Sequence, residues 1–223
     1  MTSASWRQEL SNTVQNVQNV DPNETENGAK SASERALDLM VAVVWALVAG
    51  GYLWGLRQER SLAGLGLFIF YTLVAVSFLR RRAARRTPTW WENGLALFGV
   101  FLPMFGLRPA ATGWPIAGVV VQVLSLAGMI VALGFLGRSF GIAPADRGVV
   151  RHGFYAVIRH PLYACETLFY LGFLCANLSI MNGLAVIMIT AITVVRILRE
   201  ERIISGYQAY AQQVHWRLLP FVW

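Results

Sequence analysis

The sequence predicts an all-α, polytopic membrane protein, a bundle of five to six transmembrane helices with a cytoplasmic polar loop and a C-terminal interfacial helix. Of its 223 residues, 56% are hydrophobic and only 14% are charged, and the mean hydropathy is +0.49. Soluble domains have an apolar share of about 45–50%, so this composition indicates a membrane protein. The apolar residues are also grouped into long runs, which short polar or Arg-rich segments separate.

The apolar runs are candidate transmembrane helices, since a helix needs about 20 residues to cross a hydrocarbon core of ~30 Å. There are six candidate runs: Ala36–Leu56, Leu62–Leu79, Asn93–Leu107, Pro115–Leu136, Leu162–Ala176 and Ile180–Leu198. The third run is short and contains Pro103, which predicts a kinked or tilted helix supported by its neighbours. If that run does not cross the membrane, five spans remain.

The placement of arginine predicts the orientation in the membrane. Positively charged residues accumulate in cytoplasmic loops, and this chain has two such groups, Arg80–Arg86 and the later loop with Arg138, Arg147, Arg151 and Arg159. We therefore expect both groups to face the cytoplasm of an integral membrane protein, together with both termini. Arg57, Arg60 and Arg108 would then lie on the opposite side, against this rule.

The first 35 residues are polar and contain no apolar stretch of the kind that forms a signal peptide. We expect no cleaved signal and a mobile polar tail over residues 1–35. The net charge of +7 would also suit a nucleic-acid partner, but the arginines lie beside apolar runs and form no basic domain of their own. Membrane topology therefore accounts for the charge, and no nucleic-acid partner is expected.

The segment Arg147–Tyr163, RGVVRHGFYAVIRHPLY, is the longest polar-rich interruption in the second half of the chain. Pro161 lacks a backbone donor and disfavours helix at His160, so the chain turns there before the next helix begins. His160 and Tyr163 should therefore lie at the mouth of a helix. At the membrane face, such groups can bring a polar ligand to a lipid-embedded one.

A second group of polar residues lies at the end of the last apolar run. At about 100° per residue, Arg196, Glu200, Ile203 and Tyr207 fall on one helical stripe. Arg196 and Glu200 are one turn apart, so they can pair with each other. They can equally hold the opposite ends of a zwitterion.

Glu166 lies inside a predicted span, on the same helical face as Tyr163 and Tyr170. Carboxylates inside a membrane are costly, and they face a partner or a cavity. Two interpretations follow. Glu166 lines a substrate cavity, or it forms a structural ion pair with an arginine of the loop.

Together these motifs resemble those of a known family. Gly-x-Tyr at 153–155, Arg-His-Pro-x-Tyr at 159–163, Arg-x-x-x-Glu-Glu at 196–201 and Tyr-x-x-Tyr at 207–210 look like the isoprenylcysteine carboxyl methyltransferase family and the related phospholipid methyltransferases. The similarity covers Gly137 to the C-terminus, and the ending Trp216–Pro220 resembles bacterial members. It implies an S-adenosylmethionine-dependent enzyme of the bacterial inner membrane. Residues 36–137 would be N-terminal transmembrane helices, and residues 138–223 a methyltransferase core whose polar segment is a cofactor loop.

The resemblance also implies roles for individual residues. The residues that match the cofactor-binding positions of the family are Arg147, Gly148, Val149, Val150, Tyr155, His160, Pro161, Leu162, Tyr163 and Glu200. Arg196 matches the arginine that orients the substrate. Arg159, Glu166 and Glu201 are further candidates for the site. The resemblance implies no metal ligands.

Three features depart from the family pattern. Phe154 stands where Pro is common, and Cys165 stands where many members have Gly, which would alter close helix packing at that point. The spacing from Glu201 to Tyr207 is short, so no role is carried over to Tyr207.

The residue types suit methyl transfer on chemical grounds. Transfer from a sulfonium is an in-line displacement that depends on alignment more than on proton transfer. A carboxylate acceptor needs no base, and Arg196 can orient it while Glu200 balances the positive charge of the methyl donor. A thiol or an amine acceptor would benefit from a base, for which His160 and Glu201 are the candidates.

The sequence therefore predicts a methyltransferase that acts on a lipophilic acceptor from the bilayer, with an isoprenylcysteine-like carboxylate favoured. Phospholipid N-methylation and small-thiol S-methylation are alternatives within this class. An NADPH-dependent membrane reductase resembling the steroid reductases is an alternative of another class. A non-catalytic membrane scaffold, in which Arg196 and Glu200 merely pair, is another. Membrane lipid is an expected partner, and the sequence does not indicate an oligomeric state.

Overall fold

The computed structural model describes residues 30–58 and 62–220. In these ranges the chain forms seven α-helices and no β-strand: α1 (Ala32–Gln58), α2 (Leu62–Arg80), α3 (Trp90–Gly106), α4 (Pro115–Leu136), α5 (Pro161–Ala176), α6 (Ile180–Ile203) and α7 (Tyr207–Gln213). Turns of 3₁₀ helix lie at Gly137–Ser139 and Gly153–Ala156. The predicted all-α fold is thus confirmed. Most of the predicted polar tail, residues 1–29, lies outside the described residues.

Four of the described helices are long and apolar enough to cross a membrane: α1, α2, α4 and α6. The other two predicted spans are helical but shorter, with 17 residues in α3 and 16 in α5. At about 1.5 Å per residue, each extends over roughly 25 Å, less than a ~30 Å hydrocarbon core. The architecture is that of a membrane helix bundle, and five to six complete crossings stay a prediction.

Helix α1 begins at Ala32, before the predicted start at Ala36, because Ser31 and Glu34 form a capping box. The Ser31 hydroxyl accepts a hydrogen bond from the Glu34 N–H at 3.1 Å, and the Glu34 carboxylate accepts one from the Ser31 N–H at 2.8 Å. These contacts satisfy donors that the start of a helix leaves unpaired. The predicted tail was therefore too long at its C-terminal end, since residues 32–35 are helical.

Helix α3 also begins earlier than predicted, at Trp90 instead of Asn93. The buried carboxylate of Glu92 accepts hydrogen bonds from the N–H and from the hydroxyl of Thr89, both at 2.8 Å. A carboxylate in the first turn also interacts favourably with the helix dipole. Pro103 lies inside α3, and the helix continues beyond it to Gly106.

Helices α4 and α5 pack closely through glycines. An added Cβ at Gly118 would lie 2.6 Å from the carbonyl oxygen of Gly172, and one at Gly172 would lie 2.9 Å from that of Gly118. Further along, an added Cβ at Gly128 would lie 2.6 Å from the Sγ of Cys165. Cys165 is thus accommodated by a glycine on the facing helix, and the close packing that this cysteine was expected to alter is present.

The predicted stripe from Arg196 to Tyr207 was wrong in one respect, because it does not lie on one helix. Helix α6 ends at Ile203, and Tyr207 begins the separate helix α7. Gly206 has a φ of 72° at the start of α7, a left-handed conformation that strains residues with a side chain. This turn folds α7 back toward the polar loop.

Candidate active site

A cavity of about 200 Å³ lies between the polar loop and the helix bundle. Its polar lining comes from the loop, from the start of α5 and from the end of α6. Its apolar lining comes from helices α1 to α5 and consists mainly of Trp45, Leu67, Phe70, Tyr71, Val74, Val100, Leu126, Met129 and Phe169. One continuous space can therefore hold a polar ligand and an apolar chain.

Most of the residues that the sequence predicts for the site line this cavity. They are Arg147, Gly148, Val149, Val150, Tyr155, Arg159, His160, Leu162, Tyr163, Glu166, Arg196 and Glu200. Pro161 and Glu201 are not among the lining residues. Pro161 is fully buried at the first position of α5, where it sets the start of that helix. The roles assigned to the lining residues remain predictions.

Asp146 precedes the polar loop and fixes its start, and this residue is only 1% exposed. One carboxylate oxygen accepts from the Gly148 N–H at 3.1 Å, and the other accepts from the Ser205 hydroxyl at 2.6 Å and the Ser205 N–H at 3.2 Å. Burial acts to raise the pKa of Asp146, but the hydrogen bonds from Ser205 and Gly148 outweigh it and hold this pKa below its ordinary value. The loop is thereby tied to the turn between α6 and α7.

The C-terminal segment holds the second half of the loop. The Arg159 N–H donates to the Trp216 carbonyl at 2.8 Å, and the His160 N–H donates to the Arg217 carbonyl at 2.9 Å. The hydroxyl of Tyr210 donates to the Tyr155 carbonyl at 2.6 Å. Burial raises the pKa of Tyr210 to about 12, so its phenol is protonated and remains a donor at neutral pH.

Glu201 is the centre of an ionic cluster beside the cavity. Its Oε1 accepts from Arg159 Nη1 at 3.0 Å and from Arg217 Nε at 2.9 Å. The Tyr207 hydroxyl lies 2.9 Å from His160 Nε2 and donates to Glu201 at 3.2 Å. The cluster packs α7 against the loop. Because two arginines neutralise Glu201, its carboxylate is poorly suited to act as a base.

Glu200, one residue earlier, points into the cavity. Its carboxylate accepts a hydrogen bond from the Tyr163 hydroxyl, and its Oε2 lies 3.8 Å from His160 Nδ1. Tyr163 and His160 are both buried. The two motifs that the sequence separates, Arg-His-Pro-x-Tyr and Arg-x-x-x-Glu-Glu, therefore meet at Glu200. A carboxylate there can bind a cationic group of a ligand.

Arg196 is buried against the cavity and is 7% exposed. Its Nη2 donates to the Ile142 carbonyl at 2.6 Å, and its guanidinium carbon lies 4.9 Å from the centre of the Tyr163 ring. Its Nε has no hydrogen-bond partner, and no ion pair within residues 30–58 and 62–220 includes Arg196. The pairing of Arg196 with Glu200, one of the two sequence interpretations, is not observed. The charge of Arg196 is left for an anion.

Arg147 is the second cation of the cavity without a carboxylate partner in the described part of the chain. Its side chain passes close to Gly141, where an added Cβ would lie 2.5 Å from Nη1, and its Nε has no hydrogen-bond partner. Burial, with a smaller contribution from the charge of Arg81, lowers the pKa of Arg147 to about 10. Arg147 is therefore charged at neutral pH and fits an anionic group of a ligand.

Glu166 lies one turn after Tyr163 on α5 and lines the cavity. Its side-chain partner is Tyr170. None of the ion pairs among the described residues joins Glu166 to an arginine of the loop. The observed position of Glu166 therefore agrees with the first of the two interpretations, in which this residue lines a cavity.

Sequence analysis missed two groups that shape the site. The backbone carbonyl of Ile142 holds Arg196, and no side-chain pattern predicts such a contact. For Asp146 a signal was present, because Asp followed two residues later by Gly is typical of a turn in which the carboxylate accepts from the backbone. Gly148 does adopt a positive φ, of 86°.

Residues 109–212 match the protein-family model described as phospholipid methyltransferase. The matched range contains the polar loop and the parts of α5 and α6 that line the cavity. The matched residues make up slightly less than half of the 223-residue chain. No curated protein matches the chain.

The match to this family model, which isoprenylcysteine carboxyl methyltransferase-like proteins share, confirms the predicted resemblance. It indicates a membrane methyltransferase. Helices α1 to α3 lie outside the matched range, but α1, α2 and α3 all contribute apolar side chains to the cavity. The matched segment thus supplies the polar half of the site, and the preceding helices supply part of the apolar half.

Proposed function

We propose that the chain transfers the methyl group of S-adenosylmethionine to the carboxylate of a lipophilic, isoprenylcysteine-like acceptor that arrives from the bilayer. The observation that carries this proposal is the continuous cavity, in which charged groups at the loop meet an apolar wall inside the bundle. The cofactor loop would face the cytoplasm of a bacterial inner membrane, so that the methyl donor arrives from the cytosol.

The charged groups of the cavity fit S-adenosylmethionine. That molecule supplies an electrophilic methyl group on a sulfonium, and it also carries a carboxylate and an ammonium. Arg147, whose guanidinium has no carboxylate partner in the described chain, would hold the carboxylate. Glu200, which Tyr163 orients, would hold the ammonium. Both contacts are charge-assisted hydrogen bonds, which are about twice as strong as neutral ones.

Arg196 would orient the acceptor. The Ile142 carbonyl fixes one side of its guanidinium, and the remaining N–H groups can bind a carboxylate in the planar geometry that arginine favours. One acceptor oxygen then forms a bond to the methyl carbon while the bond between that carbon and sulfur breaks, and the electron pair remains on sulfur. No proton moves, so alignment is the main requirement.

The apolar wall would hold the lipid part of the acceptor. Leu126 and Met129 of α4 and Phe70 of α2 line the cavity beyond the charged residues. These side chains lie on helices that are apolar enough to cross a membrane, so an isoprenyl chain would lie at membrane depth. The carboxylate of the same molecule would then reach Arg196 at the end of the bundle.

A phospholipid amine is the second candidate acceptor. It is favoured by the description of the matched family and by the Glu166 carboxylate in the cavity. A small thiol has no lipid chain that could contact the apolar wall, so it is the less favoured acceptor. The two alternatives of another class can be tested in the same experiment. A reductase would bind NADPH, whereas a non-catalytic scaffold would bind neither NADPH nor S-adenosylhomocysteine.

The decisive experiment is calorimetry of the purified protein in lipid nanodiscs with S-adenosylhomocysteine and, separately, with NADPH. We expect saturable binding of S-adenosylhomocysteine only. Absence of that binding in a protein shown by circular dichroism to be folded would contradict the proposal, and binding of NADPH instead would support the reductase. Radiolabelled transfer to S-farnesylcysteine and to phosphatidylethanolamine then identifies the acceptor, because a methyl ester is released by mild base and an N-methyl group is not.

A further inference from the structure

The cavity contains one more carboxylate than the methyl donor requires. Among the described lining residues, Glu200 and Glu166 are the two acidic side chains. Glu200 lies at the loop, with Tyr163 and His160 as neighbours, and is the proposed partner of the donor's ammonium. Glu166 lies deeper, on α5, and is left without an assigned ligand group.

Glu166 is placed inside the bundle, where an ionisable group is costly unless it has a function or a partner. Its described side-chain partner is the phenol of Tyr170, and a phenol does not neutralise a carboxylate. Its electrostatic interaction with Arg196 does not amount to an ion pair, since none joins the two residues. A carboxyl group and a guanidinium thus line the same cavity without forming an ion pair.

The two charges flank one ring. The guanidinium of Arg196 lies over the ring of Tyr163 at 4.9 Å, and Glu166 follows Tyr163 by one helical turn, so both lie beside this ring. A ligand that places a carboxylate on Arg196 therefore brings the neighbouring part of its head group toward Glu166. A positive charge at that point would give Glu166 a direct ionic partner in addition to the Tyr170 phenol.

We infer that the acceptor has a zwitterionic head group, in which a free ammonium binds Glu166 while the carboxylate to be methylated binds Arg196. This inference rests on the proposed function and adds the substrate class. An S-prenylated cysteine with a free α-amino group has this arrangement, because its ammonium and its carboxylate are attached to the same carbon. The same residue at the end of a peptide, or with an acylated nitrogen, lacks the cation. Glu166 is then a specificity-determining residue that selects free lipidated amino acids.

The test compares two acceptors that differ only in this charge, S-farnesylcysteine and N-acetyl-S-farnesylcysteine, with the protein in nanodiscs. For the natural chain we expect kcat/KM to be at least about tenfold higher for the free amine, the ratio that corresponds to about 1.4 kcal/mol. In Glu166→Gln this ratio should fall to about one, through loss of activity on the free amine only. Glu34→Gln, which keeps the capping box of α1 because Gln also serves there, is the matched control and should leave the ratio unchanged.

The outcomes separate the inference from the proposed function. Equal use of both acceptors by the natural chain, or an equal loss with both in Glu166→Gln, would overturn the inference and leave carboxylate methylation in place. The second result would identify Glu166 as a structural counter-charge of Arg196. No ester formation on either acceptor, with S-adenosylhomocysteine binding intact, would overturn the carboxylate proposal and the inference together, and methylation of phosphatidylethanolamine would then identify the amine as acceptor.

Discussion

The guanidinium of Arg196 donates a hydrogen bond to the backbone carbonyl of Ile142 at 2.6 Å. A carbonyl carries only a partial charge, so this contact positions the cation without neutralising it. Glu200, one turn further along α6, is held by Tyr163 instead. The two residues that could have formed an ion pair with each other therefore have separate hydrogen-bond partners, and each is able to bind a ligand group of opposite charge.

This separation predicts a division of labour between the two charges. Glu200→Gln should weaken S-adenosylhomocysteine binding by about tenfold or more, because a charge-assisted hydrogen bond is worth roughly 1.5–3 kcal/mol. Arg196→Lys should leave that affinity within about threefold and reduce transfer to a carboxylate by about 100-fold, since lysine lacks the planar fork of arginine. Calorimetry and initial rates measure the two effects. Equal losses of cofactor affinity in both variants would contradict separate roles.

Arg147 has a buried charge without an ion-pair partner in the described chain, so we expect that removing this charge stabilises the protein but weakens ligand binding. Burial lowers the pKa of Arg147 from its ordinary value of 12.5 to about 10. The charged side chain therefore costs stability at neutral pH, and this cost begins to decrease only as the pH rises above about 10. Arg147→Met should therefore raise Tm by a few degrees without ligand. The same variant should bind S-adenosylhomocysteine about tenfold or more weakly. Arg147→Lys, which keeps a charge, is the control, and a lower Tm with unchanged affinity would show that Arg147 is structural.

We expect Asp146 to make the stability of the protein sensitive to acid. Its pKa is held below the ordinary value of 3.8 by the Ser205 and Gly148 hydrogen bonds, which outweigh the effect of burial. The stability it contributes is therefore present above that ordinary value and is lost as pH falls through the lower folded value. Asp146→Asn should lower the free energy of unfolding at neutral pH by about 1–3 kcal/mol and reduce the loss on acidification. Denaturant unfolding between about pH 3 and 7 measures both, and an unchanged acid dependence in the variant would exclude Asp146 as its source.

The contact between Gly128 and Cys165 predicts a compensating pair of substitutions. Gly128→Ala places a methyl group 2.6 Å from the cysteine Sγ, and such overpacking costs about 1–3 kcal/mol. Cys165→Ala removes the sulfur and should restore most of that loss in the double variant. A double-mutant cycle on thermal unfolding measures the coupling. Additive effects would show that the helices relax around the methyl group.

Much of the fold could be predicted from the sequence because its signals are local. Hydropathy located all the helices of the described bundle from α1 to α6, and Pro115 and Pro161 marked two helix starts. The early starts of α1 and α3 also had local signals, in Ser31–Glu34 and Thr89–Glu92, which resemble the capping-box pattern. The break before α7 was not predicted. The sequence alone does not distinguish between a glycine with a left-handed conformation, such as Gly206, and a glycine inside a helix.

The sequence by itself determined which groups this protein carries: apolar runs long enough for a membrane, and charged and aromatic residues in two motifs of the segment that matches the phospholipid methyltransferase model. Only the tertiary structure decided which charges neutralise one another. Glu201 is held by two arginines, whereas Arg196, Arg147 and Glu166 reach the cavity without an ion pair in the described chain. The physical reason is that an ion pair depends on where the backbone brings distant side chains together, and a carbonyl such as that of Ile142 has no signature in the sequence.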